Sequence, residues 1–202
     1  MRTFLCIPIE DHLQQAISEY SNKVSSIVSV RSSWVKEGNF HFTLRFLGEI
    51  DPMFALELKE MCGCVAREVA PFDLVIDRLG AFPSADRPRV LWVGGNAPWA
   101  FRELVAHLNC ELEASGFRRE RKPSVSHVTL ARIKGRPDAS IKNVLDSPDL
   151  SPRWTIPANR LALMESRLTS RGPLYYPLFT VRFGADEKGG NCDSSGEKDN
   201  AL

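Results

Sequence analysis

Two short phrases, HFTL at residues 41 to 44 and HVTL at residues 127 to 130, each place a histidine two residues before a threonine. With 4 His, 6 Thr and 21 Leu in 202 residues, composition alone gives roughly 0.01 occurrences of His-x-Thr-Leu in the chain. Both phrases are tight runs of apolar and β-branched residues, the pattern of a half-buried strand, in which alternate side chains share a face. His41 and Thr43 therefore share one face, as do His127 and Thr129, while Phe42, Leu44, Val128 and Leu130 turn to the other. An imidazole with a pKa near ~6.5 can give or take a proton close to neutrality. A threonine hydroxyl can donate to an anionic oxygen without adding charge. Two such pairs could supply a base, an acid and oxyanion donors at one place. A lone strand histidine is more often a structural hydrogen-bonding residue, and it is the matched repeat that argues for chemistry.

The elements that must carry these strands also come twice. Thr3 to Pro8 reads as a strand, and Leu13, Ile17, Tyr20, Val24 and Ile27 have helical spacing. The first motif strand spans about 40 to 47. Asp51 and Pro52 open a second helix that Pro71 stops, and residues 72 to 80 and 89 to 94 read as strands around the loop 83 to 88. A helix near 98 to 115 carries Phe101, Leu104, Val105, Leu108 and Leu112 on one side, with Gly116 placed to close it. The second motif strand follows at about 126 to 133, then a short helix at 138 to 146 and strands at 160 to 167 and 174 to 183. No Gly/Ser-rich linker divides the halves, so residues 1 to 183 are expected to form one α+β unit of two pseudo-symmetric lobes around a central cleft.

Composition bounds the rest. The chain is 43% hydrophobic, with no apolar run long enough to span a bilayer and no signal-peptide pattern before Glu10. A cytoplasmic, membrane-free protein is expected. The five cysteines are an odd number and favour reduced thiols. Cys62 and Cys64 sit two apart in a predicted helix, pointing in different directions, and no other spacing suggests a metal site. Residues 184 to 202, rich in Gly, Ser and acids, read as a disordered tail. Basic residues gather near the second histidine: Arg118, Arg119, Arg121, Lys122, Arg132, Lys134 and Arg136. That charge suits a phosphate-bearing ligand, although a solvated loop would look the same. Trp92, Trp99, Phe82, Tyr175 and Tyr176 could stack a nucleobase or fill the core. His12 and His107 fall on predicted helices as surface residues.

The doubled phrase resembles the 2H phosphoesterase superfamily, and in particular its LigT-like branch of RNA 2',3'-cyclic phosphodiesterases, once named 2'-5' RNA ligases. The surrounding words are similar as well, from FLCIPIE through NFHFTLRFLGEI, LGAFPSADRPRVLWVG and SHVTLARIKG to LALMESRLTSRGPLYYPL. One departure is Ser126, where many relatives have proline before the second histidine. The resemblance implies antiparallel sheets with helices in each lobe and hydrolysis of a 2',3'-cyclic phosphate to a 2'-phosphate, with no cofactor. By that resemblance His41 would be the proton donor to the leaving oxygen and His127 the acceptor from water, while Thr43, Thr129 and Arg132 would bind phosphate. Strict alternation turns Arg132 away from His127, so its role requires the strand to end or bulge after Leu130. Alternation also puts Arg45 on the face of His41, which makes it and Tyr175 substrate-contact candidates. The expected partner is RNA or a nucleotide ending in a cyclic phosphate, and the protein is expected to be a monomer. Ligation in reverse, a non-catalytic RNA- or nucleotide-binding module, and a 2H enzyme for another substrate such as an ADP-ribose cyclic phosphate or a 2'-5' oligonucleotide are the alternatives.

Overall fold

The computed structural model describes residues 1–120, 125–170 and 172–184. The expected tail after Gly184 and the basic residues Arg121 and Lys122 lie outside the described residues. The elements run β1 (Arg2–Pro8), α1 (Asp11–Ile27), β2 (Ser32–Trp34), β3 (His41–Glu49), α2 (Phe54–Arg67), β4 (Phe72–Ile76), β5 (Arg78–Phe82), β6 (Val90–Gly94), α3 (Trp99–Ala114), β7 (His127–Ile133), α4 (Ala139–Leu145), β8 (Trp154–Ala158), β9 (Arg160–Thr169) and β10 (Gly172–Arg182). The sequence patterns locate all four helices. Asp138 caps α4 by accepting from the Ser140 backbone N–H, and Gly116, at φ +89°, takes the left-handed position that ends α3. All five apolar residues named for α3 are buried. The strand expected over 72 to 80 breaks at Asp77 into β4 and β5, and β2 and β8 carry no signal strong enough to predict.

Eight strands form one sheet in the order β10-β9-β1-β3-β7-β6-β5, with β2 also on β7, and β4 pairs with β8 in a separate two-stranded ribbon. All ladders are antiparallel. The two lobes are β10-β9-β1-β3 and β7-β6-β5, and they are not the two halves of the sequence. C-terminal β9 and β10 extend the sheet of the first motif, whereas β5, from the first half, joins the sheet of the second. A single pair, Phe42 opposite Val128, joins the lobes. Farther along the same edge of β7 lies β2, because the chain leaves β7 at Trp34 and returns as His41 after crossing the intervening loop.

Helices and sheet enclose a main core that holds Phe42, Val128, Leu44, Leu130 and apolar residues of α1, α2 and α3, while Val24 of α1 packs with Leu91, Ala131 and Ile133 in a second cluster. Phe42 and Val128 are both completely buried, so the seam between lobes is stabilised chiefly by area removed from water rather than by its one short ladder. Phe42→Ala should cost about 3–5 kcal/mol of unfolding free energy, as a cavity opens where the lobes meet. Urea unfolding checks this, and a loss below about 1 kcal/mol would show that other contacts hold the seam.

Candidate active site

Because Phe42 and Val128 face each other on antiparallel strands, the residues on either side of them are related by a local two-fold axis. His41, Thr43, His127 and Thr129 all turn from the core to the opposite face, where they line one cleft of about 430 Å³. The imidazoles are held alike. Nδ1 of His41 is 2.7 Å from the Asn39 carbonyl oxygen, and Nδ1 of His127 is 2.9 Å from that of Val125. A carbonyl only accepts, so each neutral ring carries its hydrogen on Nδ1 and keeps the lone pair of Nε2. Both histidines thus bond two residues back along their own chain and free the same nitrogen for proton transfer.

Aromatic rings fix the orientation of each imidazole. Phe4 lies 4.7 Å from His41, and Tyr175 meets it edge-on at 5.4 Å. On the other side, Phe82 meets His127 edge-on at 4.9 Å and itself stacks on Trp92 at 5.0 Å. Trp92 fits because Gly80 opposes it across the β5–β6 ladder. A Cβ at Gly80 would stand 2.3 Å from the indole ring.

The strands are not regular past the motif. Leu5 pairs with Arg45 but Cys6 with Thr43, so β3 carries an extra residue at Leu44. Leu91 pairs with Ala131 but Trp92 with Thr129, so β7 does the same at Leu130. Each bulge reverses the alternation beyond it. Arg132 therefore turns into the cleft, meeting the condition set by its spacing from His127. The same device overturns the expectation for Arg45, which is buried on the far side, 7% exposed, and is not a cleft residue. Its guanidinium donates to Asn109 Oδ1 at 3.0 Å and to the Arg118 carbonyl, with Glu120 at 3.9 Å. The bulge brings Phe46 into the cleft instead, at the position related to Arg132, and leaves it 61% exposed. Sequence reasoning missed Phe46 because strand alternation assigns it to the core. Lys36 and Asn39, from the crossing between β2 and β3, also line the cleft, as does Tyr175 from β10.

Burial is the main influence on both imidazoles. His41 is lowered from 6.5 to about 4, by burial first, against the raising effect of its hydrogen bond to Asn39 and with smaller lowering from His127 and Arg132. His127 is also lowered, by burial first and more weakly by Arg132, while its hydrogen bond to the Val125 carbonyl acts the other way. Both rings are accordingly neutral near pH 7.

Other candidates disperse. His12 is exposed beside Glu10, and His107 lies between Glu68 and Glu111 on the helix surface. Cys62 is buried and Cys64 exposed. Trp99 is 68% exposed at the start of α3, and Tyr176 carries Arg167 over its ring at 4.9 Å. Among the described residues no group of three or more His, Cys, Asp or Glu is placed to hold a metal, and no helix is long and apolar enough to cross a membrane. A second hollow of about 500 Å³, beside Asp77 and Trp154, contains neither motif.

Comparison with known proteins agrees with this geometry. The family model described as LigT like Phosphoesterase matches residues 7–92 and 96–175. An RNA 2',3'-cyclic phosphodiesterase of Aeropyrum pernix is 36% identical over 151 residues, covering 73% of this chain and 84% of that protein. One of Thermotoga maritima is 32% identical over 183 residues, covering 91% and 96%. Among solved structures, TT0787 of Thermus thermophilus superposes with a TM-score of 0.75 at 27% identity, over 92% of this chain and 100% of that one. E. coli LigT complexed with 3'-AMP has the same fold, with a TM-score of 0.74 at 23% identity over 90% and 97%.

The lowered pKa of His41 has a defined consequence for stability. Between about pH 6.5 and 4 the unfolded chain protonates this residue while the folded protein does not. Folding stability should therefore decline on acidification through that window. His41→Gln should flatten the decline relative to the parent, as read from urea midpoints at several pH values. Equal slopes in the two proteins would contradict the shift. At Gly80, alanine should displace Trp92 and cost about 1–3 kcal/mol by overpacking. Turnover should fall too, as His127 loses its flanking rings. A Gly80→Ala protein with unchanged tryptophan fluorescence and melting temperature would mean that the indole has room elsewhere.

Proposed function

The chain belongs to the LigT-like phosphoesterase family, and from that membership and its cleft we propose that it is an RNA 2',3'-cyclic phosphodiesterase working by two-histidine acid–base catalysis. The observation that carries the reading is the two-fold pair of imidazoles, each bonded through Nδ1 to the carbonyl two residues back. In the proposed reaction Nε2 of His127 takes a proton from water as the oxygen attacks phosphorus. The bond from phosphorus to the ribose 3' oxygen breaks, and Nε2–H of His41 protonates that oxygen. A 2'-phosphate and a 3'-hydroxyl result, and solvent returns the protons. Thr43 and Thr129 hydroxyls donate to the phosphoryl oxygens, and Arg132 opposes their charge.

His41, neutral near pH 7, must carry a second proton to act as the acid. A bound phosphate supplies the reason. Its negative charge beside the ring favours the imidazolium and opposes the lowering by burial and Arg132. Phe46 and Tyr175, one from each wall of the first lobe, give the cleft apolar faces beside the phosphate donors. This favours a nucleotide over a bare cyclic phosphate. We place the reaction in the cytoplasm, with the protein acting as a monomer.

His41→Ala and His127→Ala should each lower the chemical step by about 10²- to 10⁴-fold. The double variant should be far less impaired than the product of the two, since the residues act as one unit. The assay is hydrolysis of nucleoside 2',3'-cyclic phosphates in EDTA, with the product isomer identified by phosphorus NMR. A folded His127→Ala protein turning over at the parental rate would end the assignment. So would a requirement for an added divalent metal.

A further inference from the structure

The cleft accounts for one phosphate, yet the basic surface continues beyond it. Arg132 on β7 faces the cleft, Ile133 ends the strand in the core, and Lys134, just past the strand and still bonded to the neighbouring chain, is exposed again. Alternation thus returns Lys134 to the face of Arg132. The neighbouring strand repeats the pattern. Ser33 pairs with Arg132 and Ser32 with Ile133, and the Lys134 and Gly135 amides both donate to the Arg31 carbonyl at 2.9 Å. Arg31 therefore stands beside Lys134 and is exposed, and exposed Arg136 follows one residue past Gly135. Gly135 lets the two chains run this close, since a Cβ there would lie 3.0 Å from Val30 Cγ1.

Among the described residues none of Arg31, Lys134 and Arg136 is held in an ion pair. The acid nearest in sequence, Asp138, is occupied at the start of α4, accepting from Ser140 and from the Ser29 hydroxyl. What results is a strip of cations outside any ion pair among the described residues, continuing from Arg132. Successive cations on a strand face stand about 6.6 Å apart.

We propose that this strip binds the sugar-phosphate backbone of a single-stranded RNA whose 3' terminal nucleotide occupies the cleft. The proposal rests on reading the cleft as a site for 2',3'-cyclic phosphate ends. Such an end is the last nucleotide of its strand, so all remaining phosphates lie on the 5' side and must leave the cleft in one direction. Arg31, Lys134 and Arg136 line such an exit. A positively charged track without base-reading groups serves a strand of any sequence. The strip therefore favours the end of an RNA strand over a free cyclic mononucleotide, which reaches only the cleft.

The test is the triple variant R31Q/K134Q/R136Q, with R31K/K134R as its charge-preserving control. Hydrolysis of a short oligoribonucleotide ending in a 2',3'-cyclic phosphate is compared with that of the cyclic mononucleotide. Binding of the same oligonucleotide ending in a 2'-phosphate is followed by fluorescence anisotropy across a salt series. The triple variant should bind the oligonucleotide about tenfold more weakly at low salt. Its plot of log affinity against log salt should be shallower by about 2, the change expected for three lost contacts to a single strand. Mononucleotide turnover should be unchanged, and the control variant should behave as the parent. An unchanged salt slope, or a loss shared equally by both substrates, overturns the proposal. If the parent hydrolyses neither substrate while the triple variant still loses oligonucleotide binding, the reading of the cleft fails and the strip stands.

Discussion

One buried pair, Phe42 against Val128, determines where everything else in the cleft can be. Among the described residues it is the only point at which the two lobes share a ladder, and each member is the residue after a motif histidine. Strand alternation then leaves no freedom: with both side chains directed into the core, both histidines and both threonines face the opposite way. The antiparallel pairing places them about a two-fold axis. A slip of one residue at this seam would turn one lobe's histidine and threonine into the core and bring its apolar residues into the cleft. Because that register would bury polar groups and expose a phenylalanine, the hydrophobic effect that stabilises the fold also fixes the spacing of the chemistry.

How much of this could be read from residue order varies element by element, and the reason is the range of the interactions involved. The motif strands, the helices and the closing Gly116 follow from period and capping, which are local. The assignment of strands to lobes is not local. Nothing in β9 or β10 says that they extend the sheet of the first motif, or in β5 that it joins the second, and the halves of the sequence suggest the wrong division. The bulges lie between these cases. In HVTLARI the apolar residues change phase between Leu130 and Ala131, so a bulge before Arg132 is visible in the sequence. In HFTLRF the same bulge is hidden, because it buries an arginine and exposes a phenylalanine, against the usual preference of each.

That reversal at Arg45 and Phe46 is the chief asymmetry in an otherwise two-fold site. The positions related to them are Ala131 and Arg132. In the second lobe the bulge buries a small residue and presents a cation to the cleft, whereas in the first it buries a cation and presents an aromatic ring. The buried guanidinium is tolerable because Asn109 and the Arg118 carbonyl accept its protons and Glu120 offsets its charge. These contacts tie β3 to α3 and to the chain approaching the second motif. The first strand thus holds the chain just after α3, at Arg118 and Glu120. A symmetric pair of acid–base groups accepts a substrate in two orientations, and it is these unequal neighbours that distinguish them, since phosphate charge is attracted to Arg132 and not to Phe46.

The same asymmetry bears on how the proton is handled. Both imidazoles are depressed chiefly by burial, His41 to about 4, and an acid–base pair that is wholly neutral holds a base but no acid. In the proposed reaction the ligand itself would restore the acid, because an anion between the rings favours the imidazolium. Linkage requires the converse: the protonated enzyme binds phosphate more tightly than the neutral one does. Burial of the imidazoles therefore weakens the empty site as an acid while strengthening the coupling between proton and substrate. On the proposed mechanism, proton uptake would accompany binding of the phosphate whose ester bond is to be broken, so that the acid would form where its proton is used.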